Sequence, residues 1–220
     1  FPGTIFPVTI GREKSLRLIE DAQNENAFIA TVPQLNVSLE DPVDLVDLSE
    51  YGTVAKIVKT FEMPDGTVSA VLQGLGRVRL DFITDVEPYL RGNVTYQADI
   101  DADMADKRVR MISESLKEKA GTILKSSSFA PKEAVTALHS IEDFGFLVNF
   151  IATTVDFENF LGKVALLGVQ SVYERGFELL KLLELLGSVA DEVNTVCMIN
   201  LFTNSLELFF DVFDLQFHSA

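Results

Sequence analysis

The sequence predicts an α+β fold in which a β-rich amino-terminal half precedes an α-helical half. Three observations carry this. First, Gly52–Phe61 and Thr67–Gln73 are rich in Val, Ile, Thr and Ala, residues that suit a pleated backbone. Second, Met63-Pro64-Asp65-Gly66 lies between them. Pro64 presets φ, Asp65 can bond its own backbone and Gly66 accepts positive φ, so the pair reads as a hairpin. Third, after Asp99-Ile100-Asp101-Ala102-Asp103 glycine and proline become scarce, and Val109, Ile112, Leu116, Ala120 and Ile123 recur at helical spacing. Within the hairpin, Val68, Ala70 and Leu72 share one face and Ser69, Val71 and Gln73 the other. Two partly apolar faces place that strand between a core and a cover, as in a small barrel.

In chain order, Thr4–Ile10 reads as a short strand. Arg12–Gln23 turns helical, with Leu18, Ile19 and Ala22 on one face, and Asn24-Glu25-Asn26 stops it. Phe28–Val32 is a strand and Asn36–Glu50 an acidic loop broken by Pro42. Past the hairpin, Gly74-Leu75-Gly76 reads as a tight turn. Arg77–Ile83 then alternates, with Val78, Leu80 and Phe82 opposite Arg77, Arg79 and Asp81, and Tyr89–Ala98 supplies a last strand. The helical half reads as Ala105–Leu124, Pro131–Leu138, Ile141–Ala152, a helix from Asp156 or Phe157 to Leu166, and the leucine-rich Ser171–Val189. No internal repeat is visible.

The 220 residues suffice for one or two domains with a real core. Lys and Arg number 18 against 33 Asp and Glu, for a net charge of −15. Nucleic-acid affinity comes largely from cations that release phosphate counterions, so this balance opposes a general DNA or RNA binder. A solvated acidic surface is the plain reading of the charge. The single cysteine, Cys197, cannot form an internal disulfide, which fits a reducing, cytoplasmic compartment. No signal peptide is visible, and no apolar run approaches the ~20 residues of a membrane helix. The sequons Asn36-Val37-Ser38 and Asn93-Val94-Thr95 are accordingly read as chance.

Residues capable of chemistry do not assemble into a motif. His139 stands at a helix end, where capping outweighs catalysis, and His218 lies in an unrelated context. Cys197 has no base near it in sequence, so a buried thiol is expected. Gly162-Lys163 is followed by Val164 and lacks the earlier glycine of a phosphate loop. Gly74-x-Gly76 starts a dinucleotide fingerprint, but position 79 is Arg. Asp99, Asp101 and Asp103 imitate a calcium loop whose sixth and twelfth places hold Met104 and Arg110, so capping of the long helix is expected of them. Asp211 and Asp214 read as the solvated edge of an apolar helix. Arg77 and Arg79 read as a solvated strand face paired with Asp81 or Glu87. The expectation is no catalytic, cofactor-binding or metal-binding residue, with substrate contacts unknown.

Three ordered blocks carry a resemblance. They are Phe1-Pro2-Gly3 through Gly11-Arg12-Glu13-Lys14-Ser15; Glu40-Asp41-Pro42 with Asp47-Leu48; and Gly52-Thr53-Val54-Ala55 with Pro64-Asp65-Gly66 and the Gln73–Arg77 segment. Together they resemble the amino-terminal domain of Lon, the ATP-dependent protease, more loosely as far as Val193. The family's preceding strand has no counterpart before Phe1. The resemblance implies a PUA-like β-barrel over residues 1–100 and an α-helical bundle over 101–193. The apolar carboxy-terminal segment 194–220 is unlike the family; Leu206, Phe209, Phe210, Phe213 and Phe217 fit one helical face. Folding back, association and an origin outside the family stay open for it.

The resemblance further implies recognition of unfolded or damaged polypeptides and assembly with other subunits of a Lon-like hexamer. Catalysis would belong to ATPase and protease modules outside this chain, whose own residues lack Lon's Ser–Lys dyad motif. A free-standing Lon-type domain acting as an adaptor or as a small-ligand or peptide binder is the alternative. An RNA-binding PUA-like domain is a third reading, opposed by the charge. No cofactor, nucleic acid or membrane partner is expected.

Overall fold

The computed structural model describes residues 1–36, 38–39, 41–64, 67–126, 132–157, 159–193 and 210–215. The chain divides into two compact units, one built on Pro2–Ala98 with a strand from the carboxy-terminal segment, the other on Phe1 and the chain from Asp99.

The β unit begins with β1, Ile5–Ile10, and α1, Glu13–Glu25. Leu18, Ile19 and Ala22 are the buried face of α1, as their spacing requires. Asn26 ends the helix with φ 52°, a left-handed conformation that Asn tolerates, and its N–H points back to the carbonyls of Ala22 and Gln23. Next come β2, Phe28–Pro33, a 3-10 turn at Leu45–Asp47, β3, Tyr51–Glu62, β4, Val68–Asp85, and β5, Arg91–Gln97. Strands β1–β5 pair antiparallel, β1 with β4, β4 with β3, β3 with β2, and β5 also with β4. One cluster (Ile10, Leu18, Ile19, Ala22, Ile29, Ala55, Ala70, Leu72, Tyr89) packs around α1, and a second (Ala30, Val32, Leu48, Val54, Val78, Leu80, Leu90) forms separately. The sheet thus buries residues in two cores; Val68, Ala70 and Leu72 all belong to the first, whereas Ser69, Val71 and Gln73, the other face of that stretch, belong to neither.

Five expectations change here. Gly74-Leu75-Gly76 is not a turn: β4 runs through it for 18 residues. Val54 faces Gly76 and Ala55 faces Gly74, so Leu75 is the extra residue of a β-bulge. A Cβ on Gly76 would lie 2.5 Å from Cε2 of Tyr96 on the neighbouring strand, so the missing side chain there makes room for a ring. Further along β4, Asp81 and Thr84 are skipped in the pairing with β5, and Phe82 is exposed rather than buried beside Leu80. Arg77 is buried rather than solvated, with a guanidinium N–H donating to the Ala98 carbonyl at 3.5 Å. In the carboxy-terminal segment, Phe210–Leu215 is β6, a strand and not part of a helix; aromatic and β-branched residues favour it. It pairs antiparallel with β2 and meets β5 in parallel over two residue pairs only, and the sheet is not closed into the barrel expected from the sequence. The hairpin itself stands, with the Met63 N–H donating to the Thr67 carbonyl at 2.8 Å, while Asp65 and Gly66 lie outside the described residues.

The helical unit consists of α2, Lys107–Ser126, α3, Lys132–Ser140, α4, Phe144–Thr154, α5, Phe160–Ala165, a 3-10 turn at Leu166–Gly168, and α6, Val172–Val193. Val109, Ile112, Leu116 and Ala120 enter its core as the stripe requires, with Leu124 buried at the end and Ile123 packed at the margin. Asp143 caps α4 by accepting the Phe146 N–H at 2.6 Å. Helix α5 is shorter than its apolar run because Asn159 caps it, accepting from Gly162 N at 2.9 Å.

Candidate binding surface

Several described residues that the sequence singles out for acid–base or phosphate chemistry are engaged in structural contacts. Asp99 does not cap α2; both of its carboxylate oxygens accept from Arg175, at 2.6 and 3.1 Å. Arg175 is wholly buried and also donates to the Val169 carbonyl and to Oδ1 of Asn149. The turn before α2 uses Asp103 and Asp106 instead, which accept the N–H groups of Ala105 and Arg108 at 2.7 and 2.8 Å. Asp106 is held below the usual carboxylate range by the Arg108 side chain and its backbone N–H. The end of α3 is capped by Lys117, whose ammonium donates to the carbonyls of His139 and Ile141, while the His139 side chain is exposed. Arg79 pairs with Asp81 at 2.8 Å as expected. Gly162 belongs to the Asn159 cap, and burial lowers the Lys163 ammonium below its ordinary range beside the Phe157 ring. Asp211 and Asp214 sit on β6, and Cys197 and His218 lie outside the described residues. Among the described residues no group of three or more His, Cys, Asp or Glu is placed to hold a metal ion. No helix among them is long and apolar enough to cross a membrane.

What the β unit does present is an apolar loop between β2 and β3. Leu35, Leu39, Val43, Leu45 and Val46 are all exposed, Val46 to 82%. Contiguous exposed apolar residues mark interaction sites, and loops on a fixed scaffold carry them. This loop is fixed. Gln34 is 1% exposed; its amide nitrogen donates to the carbonyls of Asn36 and Leu39 at 2.6 and 2.8 Å, and its oxygen accepts from Arg12 at 2.9 Å. Leu35 N–H donates to the Asp47 carbonyl, Ser49 N–H to that of Pro33, and Gln34 bridges to Leu48, whose side chain is buried. Midway, the Lys14 ammonium lies 2.8 Å from both Asp41 and Glu87. Those two carboxylates, Asp41 first, raise the Lys14 pKa above that of a free lysine. Asp41, Asp44 and Asp47 border the apolar side chains, so the surface suits apolar segments that also carry cations. The acidic character of this loop is legible in sequence; its apolar display is not, because nothing local tells a loop leucine facing water from one folded inward.

The helical unit carries a smaller feature, a cleft of about 400 Å³ lined by Val169, Tyr173, Glu174, Phe177 and Glu178. Its rim is also acidic, with Glu178 paired to Lys181 at 2.8 Å.

The chain matches the family model of the ATP-dependent protease La (LON) substrate-binding domain over residues 1–185. It is 36% identical over 181 residues to a Lon protease of Flavobacterium johnsoniae, and 35% identical over 184 residues to one of Cytophaga hutchinsonii. These alignments cover 82% and 84% of the chain but 22% of each relative, so the chain spans about a fifth of their length. Among solved structures it is similar to a Lon N-terminal domain protein from Xanthomonas campestris, with TM-score 0.57 and 15% identity over 82% of this chain and 90% of that one. The N-terminal domain of Mycobacterium avium complex Lon protease gives TM-score 0.59 and 16% identity over 84% and 91%.

Proposed function

Because the chain belongs to the family of Lon substrate-binding domains, we propose that it captures unfolded or damaged polypeptides for a Lon-type ATP-dependent protease. The observation that carries this reading is the apolar loop at residues 35–46, displayed to solvent and held by the buried amide of Gln34. Unfolded chains expose apolar segments that folded proteins bury, and a fixed apolar surface binds them without first losing loop entropy. The acidic border adds a preference for segments flanked by Lys or Arg. ATP hydrolysis and peptide cleavage fall to parts of the relatives that this chain does not match. Assembly with other subunits, a cytoplasmic setting and the PUA-like character of the β unit belong to the same reading.

The test is binding of fluorescein-labelled casein by the full chain and by the double variant Leu45→Ser, Val46→Ser. Each exposed side chain contributes on the order of 1 kcal/mol when it is covered, so losing both should weaken binding about thirtyfold with stability unchanged. Equal affinity for the two proteins would overturn the reading.

A further inference from the structure

Strand β2 has two hydrogen-bonding edges. One pairs with β3 over Phe28–Thr31. The other carries β6 in an unbroken antiparallel register: Ile29 opposite Asp214, Ala30 opposite Phe213, Thr31 opposite Val212, Val32 opposite Asp211 and Pro33 opposite Phe210. The family match ends at residue 185, before β6 is reached. The β2 edge is therefore covered by a segment that the family match does not include. With β5 the same strand makes two pairs only, so its place in the sheet depends chiefly on β2.

Ladder hydrogen bonds join main-chain groups, which every extended polypeptide carries except at proline. An edge that reads backbone accepts many sequences, which is what a receptor for unfolded chains requires. We propose that the outer edge of β2 is a binding site for extended apolar polypeptide strands, occupied in cis by β6, which an incoming strand displaces. The class of ligand rests on the polypeptide-binding reading above; the edge, its register and its present occupant rest on the pairing itself. A tethered strand competes at an effective concentration on the order of millimolar. β6 thus sets a threshold that weak strands do not pass.

The experiment uses the full chain and the variant Val212→Pro, Phe213→Pro. Successive N–H groups of a strand point to opposite sides, so two adjacent prolines must remove at least one bond to β2. The probe is a fluorescent peptide carrying Phe210–Leu215 flanked by lysines. In the variant, those amides of Ile29–Val32 that face β6 should exchange about tenfold faster, the equivalent of one lost ladder bond. The peptide should bind the variant at least about tenfold more tightly than the parent and restore that protection. Exchange at Ala55 and Leu72, paired inside β3 and β4, reports that the sheet remains folded; Val212→Pro alone serves if the double variant loses it. Unchanged exchange at Ile29–Val32 would show that β6 does not cover the edge. Faster exchange without peptide binding would show that the edge accepts no strand in trans. Either result overturns the proposal. Loss of casein binding in the Leu45, Val46 variant, with β2 exchange unaltered, concerns only the loop.

Discussion

The two units use buried polar groups in opposite ways. In the helical unit, Arg175 gathers Asp99, Asn149 and the Val169 carbonyl inside an otherwise apolar core, and the result is internal order. In the β unit, Gln34 reaches outward along its own loop, and the result is an apolar surface held open to water. A charge is expensive to bury and demands full pairing, whereas a neutral amide can bridge backbone carbonyls at modest cost. The helical cluster is therefore suited to fixing a core and the amide to shaping a recognition loop.

The sharpest way to break this contrast is Asp99→Ala. It removes the carboxylate partner of a fully buried guanidinium, and breaking such a pair costs about 3–5 kcal/mol. Asp99 keeps some solvent contact, its side chain being 26% exposed, which puts the expectation at the lower end. Urea denaturation followed by hydrogen exchange should show α4 and α6 losing protection while β3 and β4 keep theirs. Equal loss in both units would mean that Arg175 does not act locally. A smaller effect is expected from Gln34→Leu, which leaves the Asn36 and Leu39 carbonyls without their amide donor, at about 1–3 kcal/mol. Here binding should suffer along with stability, so casein affinity and loop exchange are the measurements. A variant that is less stable but binds normally would detach the amide from the surface it is said to shape.

The smallest effect belongs to Lys14. Its carboxylate partners raise its pKa in the folded protein above the ordinary value of 10.5. The contribution is thus fully present below the unfolded value and is lost as pH rises through the folded one. The group is partly exposed, and salt screens such pairs. Loop exchange, corrected for the intrinsic pH dependence of amide exchange, should therefore be flat from neutrality to about pH 10 and quicken only above it. Lys14→Met should remove that step, and a loosening near neutrality would contradict the assignment.

Much of the architecture was legible in the residues because it is written in short periods. The stripe from Val109 to Ala120 and the Leu18, Ile19, Ala22 face of α1 are buried where helical spacing puts them. The long-range polar pairs were not legible. Arg175 and Asp99 lie 76 positions apart, and Arg12 and Gln34 lie 22 apart. No local pattern links them, so Asp99 reads as a helix cap until the fold brings Arg175 to it. Arg77 misled for a related reason: alternation assigns a face, but not whether that face is covered. Glycine misled in a third way, because Gly74 and Gly76 suit a turn and a bulge equally well. Only the registration of β3 against β4 separates the two.

That registration has a consequence for how the gene can change. Leu75 is the surplus residue on β4, and three pairs later Val58 is the surplus residue on β3, after which the two strands are back in step. The hairpin thus contains an insertion and its correction. Deleting Leu75 alone would leave the offset at Val58 without a counterpart, turning the side chains of one strand toward the wrong face from there on. Deleting both would yield a shorter, regular ladder with the Met63–Thr67 turn unmoved. Length variation in this hairpin should accordingly be inherited in pairs, one residue from each strand, and single losses should be purged.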